Sequence, residues 1–186
     1  MADADVRDAT PSDAADIARI QLATWRTAYA DLLPPSVMAE LDTGAAEARW
    51  REAVDGPVTV LVAEEGGRPV GFAAGGPAPA EESASADGSA PPDADSVALV
   101  GTVLVEPRWG RRGHGGRLLV RLAQQLGRNG ATRGIAWVAE ADQATTSFFR
   151  GAGWAPDGTV RTLDAAGRPL RELRLSGPLD LELDLA

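Results

Sequence analysis

Residues 103–119 constrain the fold of this chain more than any other stretch. They read V-L-V-E-P-R-W-G-R-R-G-H-G-G-R-L-L, so a valine-rich strand runs into a glycine-rich turn and then directly into an amphipathic helix. Exposed amides at the start of a helix carry partial positive charge, and glycines let an anion approach the backbone closely. The stretch therefore predicts a strand–turn–helix unit that binds a pyrophosphate group.

Two other phosphate-binding motifs do not fit this turn. A dinucleotide fingerprint that starts at Gly113 needs a further glycine at position 118, where the chain has Leu118. A P-loop needs Gly-Lys followed by Ser or Thr, and residues 103–119 contain no lysine. The structural alternative is a flexible, glycine-rich connection that binds no ligand.

The rest of the chain predicts an α/β fold. A short strand around Val6 precedes a helix with one apolar stripe, and the run V-T-V-L-V-A after Pro57 is typical of a buried strand. Residues 65–68, E-G-G-R, indicate a hairpin turn. In the second half strands alternate with helices, and Gly101 interrupts the strand at 97–105 as a bulge does. This order predicts a sheet of mixed direction with helices against it.

Two segments differ in composition from the rest of what we interpret as a single domain over residues 1–186. Residues 77–96 are polar and poor in large apolar side chains, so burial cannot offset the entropy of ordering them, and we predict a mobile loop. Residues 178–185 alternate leucine with acidic residues, which predicts a half-buried C-terminal edge strand. That strand pairs either within the sheet or across a homodimer interface.

Charge and composition exclude several classes of protein. The net charge of −9 and the pI near 4.6 repel nucleic acid and anionic membranes, so we predict neither as a partner, whereas a cationic acceptor is attracted. The chain has no cysteine for thiol chemistry, no His or carboxylate cluster with metal-ligand spacing, and no apolar stretch long enough to span a membrane. We therefore expect a cytoplasmic protein without a metal. Positive charge is concentrated around the glycine-rich turn, at Arg108, Arg111, Arg112, Arg117, Arg121 and Arg128.

The turn resembles the signature of the GNAT superfamily of acyl-CoA-dependent N-acyltransferases. That signature is Gln or Arg, two variable residues, Gly, one variable residue, then Gly or Ala. Residues 110–115 read G-R-R-G-H-G, so Gly113 and Gly115 match and Gly110 departs at the first position. The late stretch A-D-Q-A-T-T-S-F-F-R-G-A-G-W is similar to the second CoA-contacting helix of the family. Residues 6–20 and 25–34 look like the first strand and acceptor-side helices of its small-molecule members.

This resemblance covers nearly the whole chain and implies both fold and cosubstrate. The implied fold is a GNAT-like mixed, mostly antiparallel sheet of six to seven strands, flanked by helices and splayed at the CoA-binding strand. The implied cosubstrate is acetyl-CoA, with its pyrophosphate on the amides of residues 111–116 and its pantetheine arm along the bulged strand. The residues expected to contact it are Val103, Leu104, Val105, Arg111, Arg112, Gly113, His114, Gly115, Gly116, Asp142, Ser147 and Phe149.

Direct transfer to an amine needs a proton acceptor and later a proton donor. Family members often use a strand Glu and a late-helix Tyr, but the corresponding residues here are Leu99 and Phe149. The remaining candidates for the base are Glu106, Glu140 and Asp142, which follow strands. His114 lies inside the signature, so a phosphate-contacting or merely exposed role is expected rather than catalysis.

Tyr29, the only tyrosine, is the remaining candidate for the acid. The resemblance places it beside the acceptor pocket, whereas the helical stripe that contains it favours a core position. Catalysis by alignment of amine and thioester alone is a further alternative.

These observations predict an N-acetyltransferase that moves an acetyl group directly from acetyl-CoA to a primary amine of a small molecule. The altered residues Leu99 and Phe149 favour an alternative, a non-catalytic acyl-CoA-binding sensor. A protein-interaction domain that pairs through its C-terminal strand is the third hypothesis.

Overall fold

The computed structural model of the chain describes residues 4–28, 30–31, 33–39 and 42–182. Seven strands form one sheet in the order β1-β2-β3-β4-β5-β7-β6. The strands are β1 (Ala4–Asp8), β2 (Thr59–Glu65), β3 (Arg68–Pro77), β4 (Val97–Val105), β5 (Arg133–Ala139), β6 (Ala155–Ala165) and β7 (Arg168–Gly177). The helices of the described residues are α1 (Ala14–Ala28), α2 (Pro35–Ala39), α3 (Thr43–Val54), α4 (Ala80–Ser83), α5 (His114–Arg128) and α6 (Gln143–Gly151).

The sheet opens between its two central strands. Every neighbouring pair is antiparallel except β4 and β5, which run parallel and pair only from Val97–Arg133 to Leu99–Ile135. Beyond these pairs β4 continues to Val105 beside β3 alone. The predicted mixed, mostly antiparallel and splayed sheet is confirmed.

A bulge lies at the point where the two strands separate. Ala74 of β3 pairs with Thr102 and Gly75 pairs with Val100, so Gly101 is the extra residue on β4. A bulge bends its strand and increases the local twist. The predicted bulge at Gly101 therefore contributes to turning the end of β4 away from β5.

Each face of the sheet has its own apolar core. The α5 core lies between the sheet and helices α5 and α6, and its fully buried members include Leu118, Leu122, Phe149, Trp154 and Leu175. The smaller α1 core lies under α1 and α3. Its members are Ile17, Ile20, Val60, Val62, Phe72 and Ala74.

Trp154 determines the packing at one end of the α5 core. It is 1% exposed, and its indole Nε1 donates to the carbonyl of Pro178 at 3.1 Å. A Cβ on Gly134 would lie 2.4 Å from Trp154, and one on Gly177 would lie 2.2 Å from it. The two strands therefore need glycine at these positions, because the indole ring occupies the space of their side chains.

An ion-pair cluster fixes the start of α1 to the sheet. Arg7 of β1 bonds both carboxylate oxygens of Asp13 at 2.8 Å and also contacts Glu64 of β2. Asp13 in turn accepts from the backbone N–H of Thr10 at 2.7 Å. These hydrogen bonds, led by that from Arg7, lower the pKa of Asp13 to about 2.

The two compositionally unusual segments have more tertiary contact than the sequence predicted. Within 77–96, α4 is fixed by Arg174, whose Nη1 donates to the carbonyls of Glu82 at 2.8 Å and Ala84 at 2.6 Å. Residues 178–182 form no strand, although the sequence predicted one over 178–185; instead Leu179 and Leu181 bury their side chains in the α5 core. Residues 183–185 of that prediction lie outside the described part of the chain.

Candidate functional site

The glycine-rich turn forms a row of free backbone donors at the start of α5. The amides of residues 111–116 donate no hydrogen bond to any described residue, and the first helical bond runs from Arg117 N to the Gly113 carbonyl at 3.1 Å. Arg111 and Gly113 have positive φ angles of 63° and 83°, and residues 111–113 are exposed. Successive free amides of this kind form an anion-binding concavity. We call residues 111–116 the amide cradle.

Short-range bonds hold the cradle in place. After β4 ends, Trp109 N donates to the Glu106 carbonyl at 2.8 Å and Gly110 N donates to the Pro107 carbonyl at 3.1 Å, which makes one tight turn. The guanidinium of Arg112 lies 4.8 Å from the Trp109 ring centroid and bonds Glu65 of β2 at 2.9 Å. The turn is therefore tied to the sheet through side chains, while its amides stay available.

His114 performs this structural tie rather than the predicted exposed or phosphate-contacting role. Its side chain is 1% exposed, and Nε2 lies 2.7 Å from Glu65 Oε2. Hydrogen bonds from His114 and Arg112 lower the pKa of Glu65. The prediction for the side chain is wrong because α5 turns its first residue inward, although the His114 backbone amide belongs to the cradle.

A groove of about 290 Å³ extends from the cradle between α5 and α6, and its walls include Gly113, Gly116, Arg117 and Phe148. A Cβ on Gly115 would lie 3.3 Å from Phe148. Phe148, not the predicted Phe149, therefore faces this groove. Phe149 is 4% exposed and packs in the α5 core at 5.1 Å from the ring of Trp154.

The end of β4 has an unpaired edge where it separates from β5. Val103, Leu104 and Val105 pair with β3 and have no partner on the β5 side among the described strands. An extended ligand can add to such an edge through backbone hydrogen bonds. The cradle and this edge are consecutive in sequence, so one elongated molecule can contact both.

A cleft of about 800 Å³ opens on the α1 side of the same splay. Helices α1 and α3 provide Gln21, Trp25 and Trp50 to its wall. Strands β3, β4, β5 and β7 and residues of the connecting segments provide the remainder. Its members from the strands include Leu99, Thr102, Leu104, Trp137, Ala139, Leu170 and Glu172. The wall is mainly apolar and aromatic, as in most small-molecule sites.

Comparison with known proteins identifies the family. The model of the Acetyltransferase (GNAT) family matches residues 21–154, which is well over half of the chain. This chain belongs to the GNAT acetyltransferase family. It is also similar to the uncharacterised N-acetyltransferase YuaI of Bacillus subtilis (strain 168), with 30% identity over 176 residues that cover 93% of this chain and 92% of that protein.

Solved GNAT structures share the fold. The yncA protein of Salmonella typhimurium, solved with its cofactor acetyl-CoA, superposes with a TM-score of 0.70 at 22% identity and covers 99% of this chain and 98% of that one. Ribosomal-protein-alanine N-acetyltransferase from Brucella melitensis superposes with a TM-score of 0.71 at 20% identity, covering 93% and 98%. At these identities the likeness establishes the architecture alone.

The carboxylates predicted as the base in this GNAT chain are engaged outside the cleft. Glu106 is bound by Arg19 at 3.0 Å and by Arg108 at 2.8 Å. Burial raises the pKa of Glu106, but the hydrogen bonds from these two arginines outweigh burial and lower it. Glu140 is 50% exposed and pairs with Arg171 at 3.0 Å. Neither glutamate belongs to the cleft wall.

Of the other residues predicted for the site, one has a structural role and one is exposed to solvent. Asp142 caps α6 by accepting from the backbone N–H of Thr145 at 2.9 Å and from its hydroxyl at 2.6 Å, so its carboxylate has an internal role. Ser147 is exposed on α6. Tyr29, the predicted acid, lies outside the described residues. No group of three or more potential metal ligands occurs in the described ranges, and no helix there is long and apolar enough to cross a membrane.

The sequence reasoning missed Glu172, which is the carboxylate on the cleft wall. It lies on β7 opposite Ala139, the last residue of β5. The pairing of β7 with β5 was not predicted. Side chains alternate along β7, so Leu170 and Glu172 lie on one face of the strand. Once β5 is known to be the neighbour of β7, this alternation identifies both residues as members of the cleft wall.

Proposed function

We propose that this chain is an acetyl-CoA-dependent N-acetyltransferase that acetylates a primary amine of a small molecule directly. The observation that carries the proposal is the amide cradle, whose six backbone donors have no acceptor in the described chain and continue from the open edge of β4. Pyrophosphate matches such a row of donors, and the elongated pantetheine arm matches a strand edge. Family membership supports the same reaction.

The residues of the cradle and of β4 bind the cosubstrate in this proposal. The amides of 111–116 hold the pyrophosphate, and the exposed guanidinium of Arg111 adds positive charge beside it. The backbone of Val103 to Val105 binds the pantetheine arm. Because the cleft starts at the same splay, the acyl end of the cosubstrate meets the acceptor there.

The cleft then aligns the acceptor for transfer. Bound acetyl-CoA supplies a thioester carbonyl carbon, to which the amine nitrogen forms a C–N bond while the C–S bond breaks. The nitrogen also gives up a proton in this step, and that proton passes through water to the departing thiolate. Before attack, the ammonium proton passes to Glu172, the described carboxylate on the cleft wall. Neither Leu99 nor Phe149 can exchange a proton, so alignment of the two reactants provides most of the acceleration.

A coupled measurement of binding and turnover tests this function. Calorimetry with acetyl-CoA is expected to show binding in the micromolar range, and a panel of primary amines is expected to include at least one that releases free CoA thiol and gives an acetylated product by mass spectrometry. Absence of acetyl-CoA binding would contradict the cradle assignment.

A non-catalytic acyl-CoA sensor is the second candidate. It is favoured by Leu99 and Phe149, which replace the usual proton-transfer residues, and by the engagement of Glu106 and Asp142 in structural bonds. Binding of acetyl-CoA without CoA release for any amine would support the sensor and contradict the enzyme.

We further propose that the protein acts in the cytoplasm, where acetyl-CoA is available, as one domain. A homodimer through β6 is part of the same proposal, because this strand ends the sheet and exposes Val160 and Leu163 by 43% and 42%. Light scattering after size exclusion is expected to give twice the chain mass, and Val160→Lys is expected to give the monomer. A monomeric parent chain would refute the dimer.

A further inference from the structure

We infer that the acceptor is a primary amine on an apolar or aromatic scaffold that carries no carboxylate or phosphate, and that Glu172 binds its ammonium group. This inference rests on the proposed function and specifies the substrate class. The cleft wall carries the argument: of its described residues Glu172 alone is ionisable, and Gln21 and Thr102 are the other two with polar side chains besides the tryptophans.

The charge around Glu172 favours a cation. The Glu172 side chain is 14% exposed, and Oε2 accepts from Arg161 Nε at 2.6 Å, while Oε1 has no hydrogen-bond partner among the described residues. Arg161 is shared, because its Nη1 also bonds both oxygens of Glu82 at 3.0 and 2.8 Å. Two carboxylates therefore face one guanidinium, and the cluster keeps one net negative charge beside the cleft.

An anionic acceptor meets no matching group in this wall. Two guanidinium groups lie against Trp137 of the wall, and both are already bound to carboxylates. Arg161 lies 4.2 Å from the ring centroid and binds Glu82 and Glu172, and Arg174 lies 5.8 Å from the centroid and binds Asp157 at 2.7 Å. A carboxylate next to Glu172 would be desolvated without a partner and repelled. Amino acids and phosphorylated amines are thus disfavoured relative to the same scaffold without the acidic group.

The aromatic walls select the rest of the molecule. Trp50 is held by a 2.8 Å hydrogen bond from its Nε1 to Gln21 and by edge contact with Phe72 at 4.9 Å, and Trp137 is held by the Arg161 guanidinium. Trp25 lines the same cleft. Rings fixed in this way form a preformed apolar surface, which binds flat or apolar groups at little entropic cost.

A matched pair of amines tests the inference. We expect kcat/KM for 2-phenylethylamine to exceed that for phenylalanine, which differs by one carboxylate, by at least 100-fold, and to exceed that for spermidine by at least tenfold. Glu172→Gln keeps the shape and removes the charge, and should lower kcat/KM for 2-phenylethylamine at least tenfold. Glu81→Gln changes an exposed carboxylate of α4 outside the cleft and should leave it unchanged.

A second, gain-of-function variant tests the inference independently in case Glu172→Gln does not fold. Leu170→Arg places a cation in the cleft wall and should reduce the preference for 2-phenylethylamine over phenylalanine at least tenfold. Equal turnover of phenylalanine or spermidine by the parent chain would overturn the substrate class while the acetyltransferase function stands. Acetyl-CoA binding without turnover of any amine would instead overturn the proposed function and, with it, this inference.

Discussion

The two faces of the sheet are built on different principles. On the α5 side, a large core of leucines, Phe149 and Trp154 holds a helix whose first backbone amides form the cradle. On the α1 side, a smaller core is supplemented by ion pairs among Arg7, Asp13 and Glu64, and the cleft is lined by side chains from distant parts of the chain. The α5 face therefore offers backbone N–H donors to a ligand, whereas the α1 face offers side chains.

This difference separates a common binding function from a specific one. In the proposed function the cradle recognises a phosphate through backbone donors, which do not depend on side-chain identity, and this agrees with Gly110 at the first signature position. In our inference the acceptor preference of the cleft is set by the side chains of its wall, chiefly by Glu172. We therefore expect substitutions on the α5 face to affect the cosubstrate and substitutions on the α1 face to affect the acceptor.

The largest expected effect is on the cradle. Gly113→Val forces a β-branched residue to φ 83° and brings its Cβ to 3.3 Å from Arg117 Nη1, so the turn must change shape. We expect at least a 100-fold loss of acetyl-CoA affinity by calorimetry. Gly130→Val imposes similar strain at φ 99° with nothing within 4 Å, at the opposite end of α5, and should leave affinity within threefold. Equal losses in both variants would disprove the cradle.

The cradle was readable from sequence because every feature that defines it is local. Strand, glycines and helix follow one another within residues 103–119, and each obeys a short-range rule. The splayed sheet and the Gly101 bulge were also predicted. His114 was misplaced because the direction of a helix's first side chain depends on a distant residue, Glu65.

The acceptor cleft was not readable in this way. Its wall joins α1, α3, β3, β4, β5 and β7. The position of Glu172 depends on the pairing of β7 with β5, which no local pattern encodes. Similarly, alternation at 178–185 predicted a strand, but Leu179 and Leu181 pack into the α5 core instead. Tertiary burial overrides a period-two pattern when a nearby core has space for the leucines.

The second prediction tests packing on the α5 face. Gly177→Ala places a Cβ 2.2 Å from Trp154, which is too close to fit without movement. Overpacking of this kind costs up to about 3 kcal/mol of the free energy of unfolding. Denaturant titration should show this loss with little dependence on salt. Gly151→Ala adds a Cβ with nothing within 4 Å and should not destabilise; similar losses in both variants would contradict the assigned packing.

The third prediction tests electrostatics on the α1 face. The pKa of Asp13 is about 2 in the folded protein, below its ordinary value of 3.8, mainly because Arg7 donates to its carboxylate. A lowered folded pKa stabilises the protein fully above about pH 4, and the stabilisation is lost as pH falls towards 2. Asp13→Asn should therefore cost about 2 kcal/mol at pH 7.

The difference between Asp13→Asn and the parent chain should shrink as the pH falls below about 4 and as salt is added. Asp55→Asn is the control, because that exposed side chain makes no hydrogen bond in the described chain. A loss that persists unchanged at low pH would mean that Asp13 stabilises the start of α1 by shape and not by charge.

The smallest expected effect concerns the segment that joins the cleft to the β6–β7 hairpin. Pro77 and Pro79 line the cleft, and Glu82 two residues into α4 ties this segment to Arg161. Glu82→Gln removes the charge from that tie and leaves Glu172 as the one carboxylate bound to Arg161 among the described residues. The guanidinium is then drawn towards the cleft carboxylate. We expect about a threefold rise in KM for the acceptor and an unchanged KM for acetyl-CoA, in line with the modest energy of partly exposed ion pairs. Glu81→Gln should change neither constant, and a rise in the KM for acetyl-CoA would show that the two faces are not independent.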